Sequence, residues 1–206
     1  MFITLEGPEG SGKTSQLPAL AEFLRGAGYD IIVTREPGGT AVGDQIRAVL
    51  MNLKNVSIVP RTEILLFLAA RAQHVEELIR PALSAGKVVL CDRYGDSTLA
   101  YQGFGHRTDL KTLQTLLDFS TGGLKPDLTL LVDVPVEVGM ARKRANSSEW
   151  NRLDAYDLAF HERVRQGYFA LAEAEPDRWM IIDATEEKEQ VQVALRRAIL
   201  SRLKSP

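Results

Sequence analysis

Eight residues, Gly7-Pro8-Glu9-Gly10-Ser11-Gly12-Lys13-Thr14, constrain this chain more than any other stretch, because they fit G-x-x-x-x-G-K-[ST] in full. The apolar run at residues 2–5 reads as a strand leading into them, and residues 13–27 read as an amphipathic helix leading out. Strand, glycine-rich turn and helix in that order make a cradle for phosphate. Glycines let successive backbone N–H groups turn inward, and the helix N-terminus adds a fixed partial positive charge. In such a cradle Lys13 reaches the β- and γ-phosphates of ATP, and the Thr14 hydroxyl takes a place on Mg²⁺. All eight residues are therefore candidate ATP contacts. The motif speaks for nucleotide binding more strongly than for any reaction.

Four more short apolar runs, residues 30–34, 87–91, 128–134 and 179–182, read as strands. Thr129-Leu130-Leu131-Val132 does not alternate with polar residues, which suits strands covered on both faces of a parallel sheet. Residues 61–84 carry a helical stripe at Leu65, Leu68, Ala72, Val75 and Ile79, and Phe160, Val164, Tyr168 and Leu171 form another. Strands alternating with helices imply right-handed crossovers. The expected fold is an α/β, doubly wound, five-stranded parallel sheet with helices on both faces. With 206 residues and no repeat, low-complexity tract or linker, residues 1–206 read as one domain.

Composition narrows the partners. A formal net charge of −2 speaks against a broad nucleic-acid-binding face while leaving room for a small basic phosphate pocket. Residues 64–70, the longest apolar run, are too few to cross a bilayer, and the first residues lack the pattern of a secretory signal; the expected compartment is the cytoplasm. Cys91 sits in Val88-Val89-Leu90-Cys91 and reads as a buried core thiol. No role in catalysis or metal binding is assigned to His74, His106 or His161, and the basic residues Arg196, Arg197, Arg202 and Lys204 suit the end of a last helix.

A second constellation, Asp92-Arg93-Tyr94, follows the third strand, where open α/β sheets place ligands. Asp92 offers a site for metal-bound water, and Arg93 a bidentate clamp for anionic oxygens; a surface salt bridge is the plainer alternative. Asp133 ends another strand and competes as a metal candidate, but lacks a following cation. Glu9 is unexpected in a phosphate loop, since like charges about 4 Å apart repel by ~4 kcal/mol at an effective dielectric near 20. It needs a compensating task, or else points to solvent. Residues 141–153 carry Arg142, Lys143, Arg144 and Arg152 around Asn146-Ser147-Ser148 and read as a short basic lid or a solvated helix face.

With Arg35-Glu36-Pro37-Gly38-Gly39-Thr40, Ala100-Tyr101-Gln102-Gly103, Pro126-Asp127-Leu128-Thr129 and Asn151-Arg152-Leu153-Asp154, these motifs resemble the bacterial thymidylate kinases across nearly the whole chain. The resemblance implies a P-loop NTPase-type fold, ATP and Mg²⁺, thymidine monophosphate (dTMP) as acceptor, and a homodimer. It implies that Phe67 stacks on thymine, that Arg71 bonds the carbonyl edge of the base, and that Thr98 and Gln102 approach the same base. Tyr101 lies against the sugar, and Glu9 takes its 3′-hydroxyl. Thr98 departs from the Ser or Asn common in the family. Pro37 and Arg47 join the substrate side, although an exposed Arg47 would look the same in sequence. Because Pro8, Glu9, Gly10 and Ser11 include no arginine, the resemblance assigns the charge developing on the phosphoryl group to a lid arginine, Arg142, Arg144 or Arg152. Another nucleoside monophosphate or nucleoside kinase, and a non-catalytic ATP-binding switch, are the alternatives.

Overall fold

The computed structural model describes residues 1–146 and 150–203; residues 147–149 of the basic segment and Lys204 lie outside the described residues. Five parallel strands, β1 (Phe2–Glu6), β2 (Ile31–Arg35), β3 (Val88–Asp92), β4 (Leu128–Asp133) and β5 (Trp179–Asp183), form one sheet in the order β2-β3-β1-β4-β5. Each expected strand is present, displaced by a residue at most. The central β1 and β3 are buried at every position, while the edge strands β2 and β5 expose alternate residues. That is the division expected between strands covered on both faces and strands with one flank in water.

Two layers of helices cover the sheet. On one face α1 (Lys13–Gly26) and α9 (Lys188–Leu200) bring Leu17, Leu20, Leu24, Val191, Leu195 and Ile199 onto Ile3, Leu5, Leu90 and Leu130. On the other, Val75 and Ile79 meet Phe2, Val89 and Cys91, and α8 (Leu158–Ala174) lays Phe160, Val164 and Tyr168 on Leu131 and Trp179. Cys91 is buried there, and burial raises its pKa. Arg196 lies over the Phe23 ring at 4.5 Å and so braces α9 against α1, a packing task beyond the expected balance of charge at the helix end.

The helical run expected over residues 61–84 is continuous but not uniform. It comprises α3 (Pro60–His74), a π-helical turn (Val75–Ile79) and α4 (Arg80–Ser84). Pro81 has no N–H to give, and its ring crowds the carbonyl four residues back. The chain widens just before it, so that the Arg80 N–H bonds Val75 O. The stripe also needs correction: Leu65 is exposed and Ile64 is buried in its place, with Glu63, Arg71 and His74 on the same inward side. Their ion pairs, invisible to a hydrophobic pattern, set the rotation of this helix. A second π-helical stretch (Leu99–Gly105) continues α5 (Gly95–Thr98) and lies under α8. The remaining helices are α2 (Ala41–Met51), α6 (Leu110–Thr121) and α7 (Val136–Ala145).

Parallel pairing decides where the loops go. Leu5 sits opposite Asp92 in register, and the Arg93 N–H bonds Leu5 O at 3.0 Å, so the loops leaving β1 and β3 emerge side by side. The first turn of α7 presses on the phosphate loop from behind. A Cβ on Gly139 would lie 2.2 Å from the Glu9 carbonyl oxygen, and one on Gly10 only 1.9 Å from that of Gly139. Gly139→Ala is expected to lower the stability read by urea denaturation by about 1–3 kcal/mol. An unchanged midpoint would show that the loop yields freely to α7.

Candidate active site

The α1 N-terminus has no side-chain cap, since Gly12 (φ 89°) occupies that place in the left-handed region. Its first-turn N–H groups are thus left for an anion. Lys13, 5% exposed, turns back into its own loop and donates to Gly7 O (3.0 Å), Pro8 O (2.8 Å) and Ser11 Oγ (2.9 Å). Burial, with Arg93 beside it, pulls the Lys13 pKa down to about 7. At the edge of the loop the Thr14 hydroxyl donates to Asp92 Oδ2 at 2.5 Å.

Arg93 has a positive φ of 67°, unusual for a side chain of its size. That turn swings its guanidinium over the loop. Nη1 donates to Gly7 O at 3.0 Å, the same oxygen that receives Lys13, and also to Tyr168 OH (3.0 Å) and Ser97 Oγ (3.3 Å). Nη2 donates to Glu9 Oε1 at 2.8 Å. Glu9 therefore points inward rather than to solvent, and its Oε1 also accepts from Tyr101 OH at 2.7 Å. Burial alone would raise the Glu9 pKa, but Arg93, Lys13 and Lys143 outweigh it and hold the carboxylate at about 2.

A cleft of about 860 Å³ opens between these groups and α3. Phe67, Arg71, Pro37, Arg47, Thr98, Tyr101 and Gln102 all line it, together with the phosphate loop from Glu9 to Thr14 and Asp92-Arg93. Arg47 is held in the cleft by a 2.9 Å bond to Pro37 O. Arg71, 1% exposed, donates from Nε to Glu36 Oε2 (2.7 Å), from Nη1 to Thr98 Oγ1 (2.9 Å) and from Nη2 to Tyr94 O (3.0 Å). A smaller cavity of about 40 Å³ behind Asp96 and Arg178 has room for little beyond water.

The lid candidates separate. Arg142 lines the cleft and donates to Ala184 O at 2.9 Å. Arg144 is exposed on α7 and is not among the lining residues. Arg152 is buried elsewhere, donating to Leu50 O (2.8 Å), Tyr156 OH (3.1 Å) and Glu63 Oε2 (2.5 Å), so the structure does not bring it to the cleft. Lys143 does line the cleft, 3.1 Å from Asp154 Oδ2, as do Trp150 and Asn151. Asp133 is taken by Arg165 through two 2.8 Å bonds and faces α8.

Several residues of this neighbourhood carry no local signal in sequence. Glu6, fully buried at the end of β1, accepts from the Tyr94 N–H (2.7 Å), Ser97 Oγ (2.5 Å) and Tyr168 OH (3.0 Å), and so fixes the ground on which Arg93 rests. His74, assigned no role above, bridges Glu36 Oε1 (2.9 Å) and Thr34 Oγ1 (2.7 Å) behind Arg71. Glu36 belongs to a quoted motif, yet its partners lie 35 and 38 residues away. Only their high fraction of buried charge marks them, and burial is not visible in composition.

A lysine from one strand's loop and an arginine from the next converge on a single carbonyl, with an uncapped helix behind them. Such a site favours holding two phosphate groups against each other, and with this sheet it defines the P-loop nucleoside monophosphate kinase class. The thymidylate kinase family profile matches residues 5–195. The chain is 50% identical to a thymidylate kinase of Geotalea uraniireducens, over 98% of this chain and 97% of that one. It is 57% identical to that of Thermomicrobium roseum over 92% and 90%. A crystal structure of thymidylate kinase from Ehrlichia chaffeensis superposes with a TM-score of 0.78 at 34% identity, covering 97% of this chain and 98% of that chain. The chain belongs to the thymidylate kinase family.

Glu6 gives the site a measurable pH signature. Burial, with Asp96 adding, raises its pKa from 4.5 to about 7. Between those values the unfolded chain loses the proton and the folded one keeps it, so the stability this group lends is complete below pH 4.5 and is lost as pH rises through 7. Glu6→Gln, which cannot ionise, is therefore expected to gain on the parent protein in urea denaturation between pH 4.5 and 7, with a constant difference above. Parallel stability curves across that range would contradict the assignment.

Proposed function

We propose that the cleft joins ATP, on the loop of residues 7–14, to dTMP, on the wall formed by α3 and the residues 98–102, and that these parts carry the reaction. The activity is that of the family, transfer of the γ-phosphoryl group of ATP to dTMP, giving ADP and dTDP. The observation that best supports this division of labour is the shared Gly7 oxygen, which brings Lys13 and Arg93 together from the two sides. An acceptor phosphate oxygen forms the new bond to the γ-phosphorus, and the bond to the β–γ bridging oxygen breaks, leaving its electron pair on ADP. No enzyme nucleophile is required, because such transfers run on positioning and neutralised charge.

Lys13 and the loop N–H groups hold the donor phosphates; Arg93 holds the acceptor phosphate beside them. Thr14 and Asp92 fit Mg²⁺: two hard oxygen donors 2.5 Å apart at the loop suit an ion that keeps most of its water. Among the described residues no cluster of three or more His, Cys, Asp or Glu competes for a metal. When bound, Mg²⁺ neutralises charge on the phosphate oxygens. Phe67 offers a ring face and Arg71 its donors to the base; Thr98 and Gln102 complete that wall. Glu9 and Tyr101, bonded to each other, close on the sugar, where Glu9 takes the 3′-hydroxyl. Pro37 and Arg47 bound the acceptor end. Arg142 is the lid arginine favoured for the transferring group, as the one of the three candidates that lines the cleft.

The same reading takes residues 1–206 as one domain with a lid at 141–153, working in the cytoplasm on free nucleotides without nucleic acid. No helix among the described residues is long and apolar enough to cross a membrane. It also takes the protein as a homodimer through α2 and α3, where Val42, Val49, Val59 and Leu65 stand exposed.

With ADP release as the readout, dTMP is expected to outperform every other nucleoside monophosphate. A pocket that senses one methyl group gives about 10- to 200-fold preference over dUMP, so dUMP turns over slowly; equal efficiency on both overturns the thymine pocket. Arg142→Ala is expected to lower kcat by at least ~10²-fold, with a much smaller change in the KM for ATP. Arg144→Ala should do far less, and equal, small effects at both positions would remove Arg142 from the transfer step.

A further inference from the structure

Glu63, Phe67 and Arg71 are spaced four apart on α3, so one stripe of that helix carries the ring, the guanidinium and a carboxylate. Glu63 is 0% exposed. Its Oε2 accepts from Arg152 Nη2 at 2.5 Å and Tyr156 OH at 3.3 Å, and its Oε1 accepts from Gln102 Nε2 at 2.7 Å. His106 Nε2 stands 3.3 Å from the same Oε1 but off the line a hydrogen bond requires. Burial would raise the Glu63 pKa, yet the contacts from His106, Gln102 and Arg152 outweigh it and hold the group at about 2. Glu63 is thus a carboxylate at any pH the enzyme meets, and a carboxylate accepts hydrogen bonds without donating any.

That one-sidedness has a chemical consequence across the cleft. An amide has a donating end and an accepting end, and only the donating end can face Glu63. Gln102 lines the cleft, and with its nitrogen drawn to Glu63 the end of the amide turned away from that carboxylate is its carbonyl oxygen. Arg71, on the same wall, can only donate. To whatever ring lies on Phe67, Arg71 therefore offers a donor and Gln102 an acceptor, while the Thr98 hydroxyl, which takes Arg71 Nη1 at 2.9 Å, can serve either way and does not choose between bases. We propose that Glu63 is a specificity-determining positioning residue. By holding the Gln102 amide in one orientation, it makes the pocket select a base whose ring N–H adjoins a carbonyl, a 4-oxopyrimidine, over a 4-aminopyrimidine, which reverses both partners. This rests on the placement of the acceptor base against Phe67, Arg71 and Gln102 given above. It assigns the choice between these base types to a residue that never touches the base.

Glu63→Gln tests it. Oxygen stays toward Arg152, the new amide donates toward Gln102, and Gln102 turns its own nitrogen to the cleft. The KM for dTMP is expected to rise about 10- to 100-fold. The kcat at saturating dTMP should stay within about threefold and the KM for ATP should not change. The preference in kcat/KM for dTMP over dCMP falls at least tenfold, while the preference for dTMP over dUMP, which senses a methyl group, stays put. In a Gln102→Met background, where there is no amide to orient, Glu63→Gln should add nothing further. Should the single change prevent folding, Glu63→Met with Arg152→Leu removes the buried ion pair whole, a replacement cores often tolerate, and is expected to lose the same selectivity. An undiminished dTMP-to-dCMP ratio in whichever of these variants folds, or an additive effect in the Gln102→Met background, overturns the proposal and leaves Glu63 as an anchor for Arg152. If Gln102→Met alone leaves the KM for dTMP unchanged, the placement of the base fails instead.

Discussion

One carbonyl oxygen, that of Gly7, holds the two halves of this molecule to a common point. It accepts Lys13 Nζ and Arg93 Nη1, each at 3.0 Å. Two cations sharing an oxygen are at most about 6 Å apart, where they repel by ~3 kcal/mol at an effective dielectric near 20. A protein keeps such a pair only if anions hold it or if the strain serves a purpose. Here anions hold it. Glu9 takes the other arm of Arg93 and Asp92 lies beside Lys13 at Thr14, while Glu6, which keeps its proton up to about pH 7, adds hydrogen bonds to Ser97 and Tyr168 beneath rather than a full counter-charge.

That arrangement resolves the oddity of an acidic residue in a phosphate loop. Glu9 costs electrostatic energy when phosphates arrive, but without it Arg93 would sit buried with Lys13 as its neighbour and no direct counter-charge. The positive φ of Arg93 and the glycine conformations of the loop are the backbone's share of the same compromise. Each is a departure from what the residue prefers alone, and each is over-determined by the parallel register of β1 and β3, which leaves the two loops no other place to meet.

The phosphate loop was legible because it is made of backbone. Backbone N–H groups that cradle phosphate must turn inward, which demands glycine at particular positions and a helix start just after, and both leave a local trace of eight residues. The sheet was legible for a similar reason: buried parallel strands need unbroken apolar runs. Ion pairs left no such trace. The stripe on α3 reads through Leu65 on hydrophobic spacing alone, yet the helix is rotated to bury Glu63, Arg71 and His74. Arg152 looked like a companion of Arg142 in a basic run, yet its partner Glu63 lies 89 residues away and draws it out of the cleft. Family resemblance supplied candidates at the wall proposed for the acceptor, but the partners bonded to them, Glu36 and Glu63, had no reading from local pattern.

The carboxylates that end the strands show the limit most directly. Glu6, Asp92, Asp133 and Asp183 occupy the same topological place on four parallel strands. Glu6 is buried under Arg93, Asp92 meets Thr14, Asp133 is clasped by Arg165, and Asp183 caps the Thr185 turn. What separates them is the neighbour each finds across a gap in sequence, so an acid at a strand end is a place for chemistry without being a chemical role. Recognition of the donor can be written into one loop because every nucleoside triphosphate presents the same phosphates. Recognition of a particular base needs donors and acceptors pinned in fixed orientation. Pinning requires buried partners on other elements, and those are settled only when the chain has folded.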